Sequence, residues 1–81
     1  MVMVKYTYTS EQGKEVAIST IEEAKRVIIA TATVREHSKQ EVLEDIQITE
    51  LAKAFGLNLE EDLIVVKSDN PKDFFYSYYF E

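Results

Sequence analysis

Any catalytic chemistry here would have to be built from one histidine, His37, the serines at positions 10, 19, 38, 68 and 77, and the acidic run Glu60-Glu61-Asp62, because the chain has no cysteine. Nucleophilic catalysis needs a nucleophile, a base and an orienting group. The one histidine lies between Glu36 and Ser38, at an expected turn between helices, and reads there as a solvated turn residue. Ser19 and Ser38 are accounted for as helix-capping residues. Acid–base work by paired carboxylates requires one of them in an apolar pocket with a raised pKa. The acids here fall on helix faces and turns, where water keeps them ionised. Glu60-Glu61-Asp62 lacks the alternating oxygen ligands and central glycine of an EF-hand loop. Gly13 and Gly56 are isolated, so no glycine-rich phosphate cradle exists. No catalytic residue, metal ligand or cofactor is expected.

Charge is more informative. The chain of 81 residues carries nine Lys and Arg against fifteen Asp and Glu, a net charge of −6. Residues 1–35 hold four acids and five bases, net +1, which leaves eleven acids and four bases, net −7, for residues 36–81. Such a field repels nucleic acid and membranes and draws in basic surfaces. Candidate contacts of an acidic docking face are Glu41, Glu44, Asp45, Glu50, Glu60, Glu61, Asp62, Asp69 and Asp73. The expected partner is a basic protein. One form of this reading is a DNA mimic, an inhibitor of phage or mobile-element type whose carboxylates take the place of phosphates in the groove of a DNA-binding host protein.

A second feature is Phe74-Phe75-Tyr76-Ser77-Tyr78-Tyr79-Phe80. In a strand, Phe74, Tyr76, Tyr78 and Phe80 share one face, and Phe75 and Tyr79 share the other. Helices packed on one side of a small sheet bury only one of these rows, and each ring carries about 150–250 Å² of largely apolar surface. Phe75, Tyr76, Tyr78 and Tyr79 are therefore candidates for an oligomer interface, most simply of a homodimer. The alternative is a strand covered on both faces.

These residues need elements to hold them. Val2, Val4, Tyr6 and Tyr8 alternate with polar or flexible neighbours, a period of two that predicts a strand. Ser10–Lys14 reads as a turn, and Glu15–Ile18 as a short returning strand. Thr20 and Glu23 form a capping box opening a helix to about residue 34, with a strand over 27–35 as the competitor. Ser38 and Glu41 form a second capping box. Val42, Leu43 and Ile46 share one helical face, whereas Ile48, Leu51, Ala52 and Phe55 share the opposite one. A break near Gln47 is expected, with Thr49 capping a second helix that stops before Gly56. Leu63–Val66 reads as a buried strand, with a helical start after Asn58 as the alternative. Ser68–Lys72 is a turn.

The segment Ile48-Thr49-Glu50-Leu51-Ala52-Lys53-Ala54-Phe55-Gly56-Leu57 resembles the first helix and turn of the helix-turn-helix family. The resemblance implies a recognition helix over Leu59–Val66 and a role in transcription regulation. That stretch presents Glu60, Glu61 and Asp62 where phosphate contacts call for Lys and Arg, so direct DNA binding is not expected.

The element order predicts a single α+β domain: a small antiparallel sheet, made of an N-terminal strand or hairpin and a C-terminal hairpin, with two to three helices on one face. No basic segment followed by a long apolar run opens the sequence, and a cytoplasmic location is expected. The functional expectation is a non-enzymatic acidic protein-binding module. The alternatives are a small assembly subunit joined through the aromatic strand and a helix-turn-helix-like regulator fragment.

Overall fold

A computed structural model of the chain describes residues 6–10, 12–70, 72 and 75–81. The expected strand over residues 2–5, and the residues Asp73 and Phe74, lie outside these. The elements in order are β1 (Tyr6–Thr9), β2 (Glu15–Ile18), α1 (Ile21–Arg35), α2 (Lys39–Glu44), α3 (Ile46–Ala54), α4 (Leu59–Asp62), β3 (Leu63–Lys67) and β4 (Tyr76–Phe80). The fold is mixed α+β, with helices packed against the strands. In place of one sheet there are two antiparallel two-stranded sheets, β1–β2 and β3–β4.

An isolated two-stranded ribbon is marginal in water, so each hairpin depends on the helices it covers. Tyr8 and Ile18 of the first hairpin, and Leu63 and Tyr78 of the second, enter one continuous core with Ala24, Ile28, Val42, Ile48 and Leu51. The Tyr8 hydroxyl and Thr31 Oγ1, 2.9 Å apart, bond within this interior. Helix α1 packs along β4, and α3 reaches β1.

Residues 27–35 are helical, not extended. Thr20 accepts from the Glu23 amide at 3.2 Å and starts α1 where the capping box predicts. The Glu23 carboxylate takes the Thr20 and Ser19 hydroxyls at 3.1 and 3.3 Å in place of the Thr20 amide, so only half of the box forms. Ala24, Ile28, Thr31 and Ala32 then form its buried stripe. The β-branched Thr33 is accommodated by donating its hydroxyl to the Ile29 carbonyl at 2.7 Å.

The helical stretch after residue 38 breaks two residues earlier than expected. Asp45 both ends α2 and begins α3. Its Oδ1 accepts from the amides of Gln47 at 3.1 Å and Ile48 at 3.4 Å. Thr49 is inside the helix and is no cap; its hydroxyl donates to the Ile46 carbonyl at 3.1 Å. An aspartate accepts such amides well, since ionised it is purely an acceptor. The turn at Asp45 lets Val42 on one face and Ile48, Leu51, Ala52 and Phe55 on the other reach the core, whereas Ile46 at the turn stays 71% exposed.

Helices α1 and α3 end alike. The amides of His37 and Leu57 bond back to the carbonyls of Ala32 and Ala52, at 3.1 and 2.8 Å. The amides of Glu36 and Gly56 bond to Thr33 and Lys53, both at 3.2 Å. These are two Schellman motifs, which require a left-handed residue at the turn. Gly56 supplies it at φ 69°, and Glu36 is forced into it at φ 52°. After Asn58, helix α4 makes a single turn before β3 begins at Leu63. The recognition helix implied over Leu59–Val66 is therefore not formed: its first half is the single turn of α4 and its second half is strand β3.

Candidate protein-docking surface

The expected solvated turn around His37 is instead a packed junction. His37 Nε2 lies 3.0 Å from Asp45 Oδ2, and the His37 carbonyl accepts the Tyr78 hydroxyl at 2.8 Å. Its Nδ1 is buried, with no hydrogen-bond partner among the described residues. Arg35 donates to Asp45 and to Gln47, tying the end of α1 to the start of α3. Burial by itself pushes the Asp45 carboxyl up. Hydrogen bonds from Arg35, His37 and the Ile48 amide, with the Arg35 charge, outweigh it and hold the carboxyl below the usual carboxylate range. Asp45 is thus committed to the fold rather than displayed to a partner.

Glu41 is partly committed too. Its carboxylate accepts from the Ser38 amide at 2.9 Å, and hydrogen bonds from the Ser38 backbone and side chain hold its pKa down. Lys39 points the opposite way along α2 and donates to the carbonyls of Leu59 and Leu63. Burial lowers its pKa, against the charges of Glu60 and Asp62, which raise it. The lysine thereby fixes α2 beside α4 and closes the free edge of β3 at its first residue. Glu44, Glu50, Glu60, Glu61 and Asp69 are exposed, Asp62 is half-buried, and Asp73 lies outside the described residues.

The aromatic residues divide by strand parity. Cross-strand partners in the second hairpin are Leu63 and Phe80, Ile64 and Tyr79, Val65 and Tyr78, Val66 and Ser77, Lys67 and Tyr76. The ladder continues at both ends. Glu81 donates to Asp62 and Ser68 to the Phe75 carbonyl, each at 2.9 Å. Alternation puts Leu63, Val65, Tyr76, Tyr78 and Phe80 toward the helices. Tyr78 is 9% exposed, and the Lys25 ammonium sits 5.6 Å from the centre of the Phe80 ring. Tyr76 and Tyr78 therefore do not share a surface with Phe75 and Tyr79.

The other row faces out. Phe75 is 50% exposed, Tyr79 51% and Val66 47%, with Ile64 half-buried opposite Tyr79. Read along the hairpin, this face runs from the Asp62–Glu81 pair through Ile64–Tyr79 and Val66–Ser77 to Ser68–Phe75 and the turn at Asp69. It is an uncharged aliphatic and aromatic strip that meets carboxylates where α4 joins β3. The outward row of the first hairpin is unlike it: Thr7, Thr9, Glu15 and Ala17, small or polar side chains.

Sequence reasoning separates Phe75 and Tyr79 from their neighbours but misses Ile64, Val66 and Ser77. The continuous run Leu63-Ile64-Val65-Val66 has no alternation to show which of its residues face water; only pairing with β4 decides it. Among the described residues no group of three or more His, Asp or Glu side chains is placed to hold a metal ion. No helix among them is long and apolar enough to cross a membrane.

The chain matches no protein-family model, no curated protein and no solved structure.

Proposed function

We propose that this chain is a non-enzymatic acidic protein-binding module that docks a basic protein surface on the outward face of β3–β4. The observation that carries the reading is the exposure of Val66, Phe75 and Tyr79 in one uncharged row. Exposed apolar rows of this kind on small domains mark interaction sites, and tyrosine is a frequent anchor because it joins area to a polar tip. Glu60, Glu61, Asp62 and Glu81 at the head of the hairpin set the sign of the partner's charge.

The same row supports the second reading, a homodimer through this face. Electrostatics ranks it lower. Two copies each carrying −6 repel as they approach. A basic partner turns those same charges into an attraction that speeds association.

Salt and a single substitution test both readings. The immobilised chain is offered cell lysate at low salt beside its Val66→Glu variant and eluted with a salt gradient. Basic proteins held by the native chain alone, and released by salt, support the proposal. If duplex DNA also displaces them, the docked surface is the partner's own DNA groove, as the DNA-mimic form requires. Self-association that strengthens as salt rises would overturn the proposal in favour of the homodimer.

A further inference from the structure

We infer that the segment recognised on this face is a short amphipathic helix with Lys or Arg at one end; the inference rests on the docking surface proposed above. The β3–β4 ribbon has helix α1 against its inner face, along β4. Its outer face offers the same aliphatic and aromatic chemistry and stands uncovered by the described residues. A second helix there completes a helix–ribbon–helix sandwich, the layered arrangement in which such a ribbon buries both faces.

From Ile64 to Ser68 the uncharged strip spans four residue steps, roughly 13 Å at ~3.3 Å per residue. A helix covers that length in about nine residues, enough for three apolar side chains at i, i+3 or i+4, and i+7. On β4 the small Ser77 sits between Phe75 and Tyr79, so the two rings flank a notch able to receive one apolar side chain.

Charge gives the direction. Asp62 and Glu81 form the last ladder pair, with Glu60 and Glu61 immediately before them. In sequence the far-end connection from Lys67 to Phe75 balances Asp69 and Asp73 against Lys67 and Lys72, so it lacks that excess of acid. A docked helix therefore places its basic end over Asp62 and Glu81. If this is also its N-terminus, the helix dipole adds to the attraction.

The test uses synthetic peptides against the isotope-labelled full chain, read by amide chemical shifts. The first probe has about fourteen residues, with leucines at helical spacing and three lysines at one end. The second replaces the lysines with glutamate, the third carries a central proline, and the fourth alternates leucine and threonine as an extended strand with the same lysines. The first should shift the amides of Ile64, Val66, Ser77 and Tyr79 and turn helical by circular dichroism. The glutamate probe should bind at least about tenfold more weakly at low salt, and the proline probe should not bind. An extended probe binding as well as the helical one overturns the helix and leaves the docking face standing. If none of the probes perturbs these amides, both the helix and the face are wrong.

Discussion

The Tyr78 hydroxyl donates to the carbonyl oxygen of His37 at 2.8 Å, which pins β4 to the turn between α1 and α2. The strand whose outer side bears Tyr79 is thus anchored on its inner side to the helical layer. A docking face built on a two-stranded ribbon needs such an anchor, because the ribbon has no further strands to stiffen it.

Tyr78→Phe removes only the hydroxyl. It strands a carbonyl at the junction and should destabilise the domain by about 1 kcal/mol, read from the urea midpoint at constant m-value. The same hydroxyl has a pH signature. Burial raises its pKa above the ordinary tyrosine value, and the charges of Tyr76, Glu36 and Glu41 add to the effect. A raised folded pKa means that the stability is whole below the unfolded value, near 10, and is lost as pH climbs through the folded one. Native protein should weaken over this alkaline window, and the Tyr78→Phe variant should weaken less.

Asp45 carries the opposite dependence. Its pKa is lowered in the fold, so its contribution is present above the ordinary aspartate value of about 3.9 and is lost as pH falls through the folded one. Asp45→Ala removes a helix cap and leaves Arg35 and His37 without their shared acceptor. A loss of about 2–3 kcal/mol is expected near neutral pH. Asp45→Asn keeps a capping oxygen and should lose less. Denaturant melts at pH 7 and pH 3 check both points: the gap between native protein and Asp45→Asn should narrow in acid.

What the sequence could and could not show follows from the same contacts. Capping boxes are written in adjacent residues, and both Thr20–Glu23 and Ser38–Glu41 open helices where their spacing predicts. The stop at Gly56 is equally local. The stop at Glu36 has no glycine to announce it, and Asp45 looks like any other surface acid, because its partners Arg35 and His37 come together with it only after α1 and α3 pack. The split into two hairpins is hidden for a similar reason, since strand pairing depends on residues far apart in the chain. The aromatic strand was half legible. Its alternation assigns Phe75 and Tyr79 to one face, but which face stays wet is decided by α1.

The two Schellman motifs make a paired prediction about backbone conformation. Glu36 at φ 52° occupies a position that Gly56 fills at φ 69° in the equivalent place. A side chain in the left-handed region costs about 1 kcal/mol. Glu36→Gly should therefore stabilise the domain by roughly 0.5 kcal/mol after the greater chain entropy of unfolded glycine is subtracted. Gly56→Ala should destabilise it by about 1 kcal/mol, although the new methyl would meet nothing within 4 Å. Thermal melts of the two variants should shift in opposite directions.

The docking face makes a prediction that separates function from stability. Val66, Phe75 and Tyr79 are each about half exposed, and their outer halves are uncovered by the described residues. Substituting exposed side chains away from caps and buried networks moves stability by within about 0.5 kcal/mol. Phe75→Ser and Tyr79→Ser, singly or together, should leave the urea midpoint almost where it was. Truncating an aromatic anchor at the centre of an interface costs about 2 kcal/mol or more, roughly thirtyfold in affinity. The same variants should therefore lose partner binding while remaining folded. Tyr78→Phe, one residue away on the inner row, should do the reverse: it weakens the fold and leaves the affinity of the folded protein intact. Titration of each variant, with circular dichroism on the same samples, distinguishes the rows. If Tyr79→Ser unfolds the domain, its ring is a core element rather than a docking one. If both outer variants bind normally, recognition lies elsewhere, with the exposed carboxylates Glu44, Glu50, Glu60 and Glu61 the next residues to reverse.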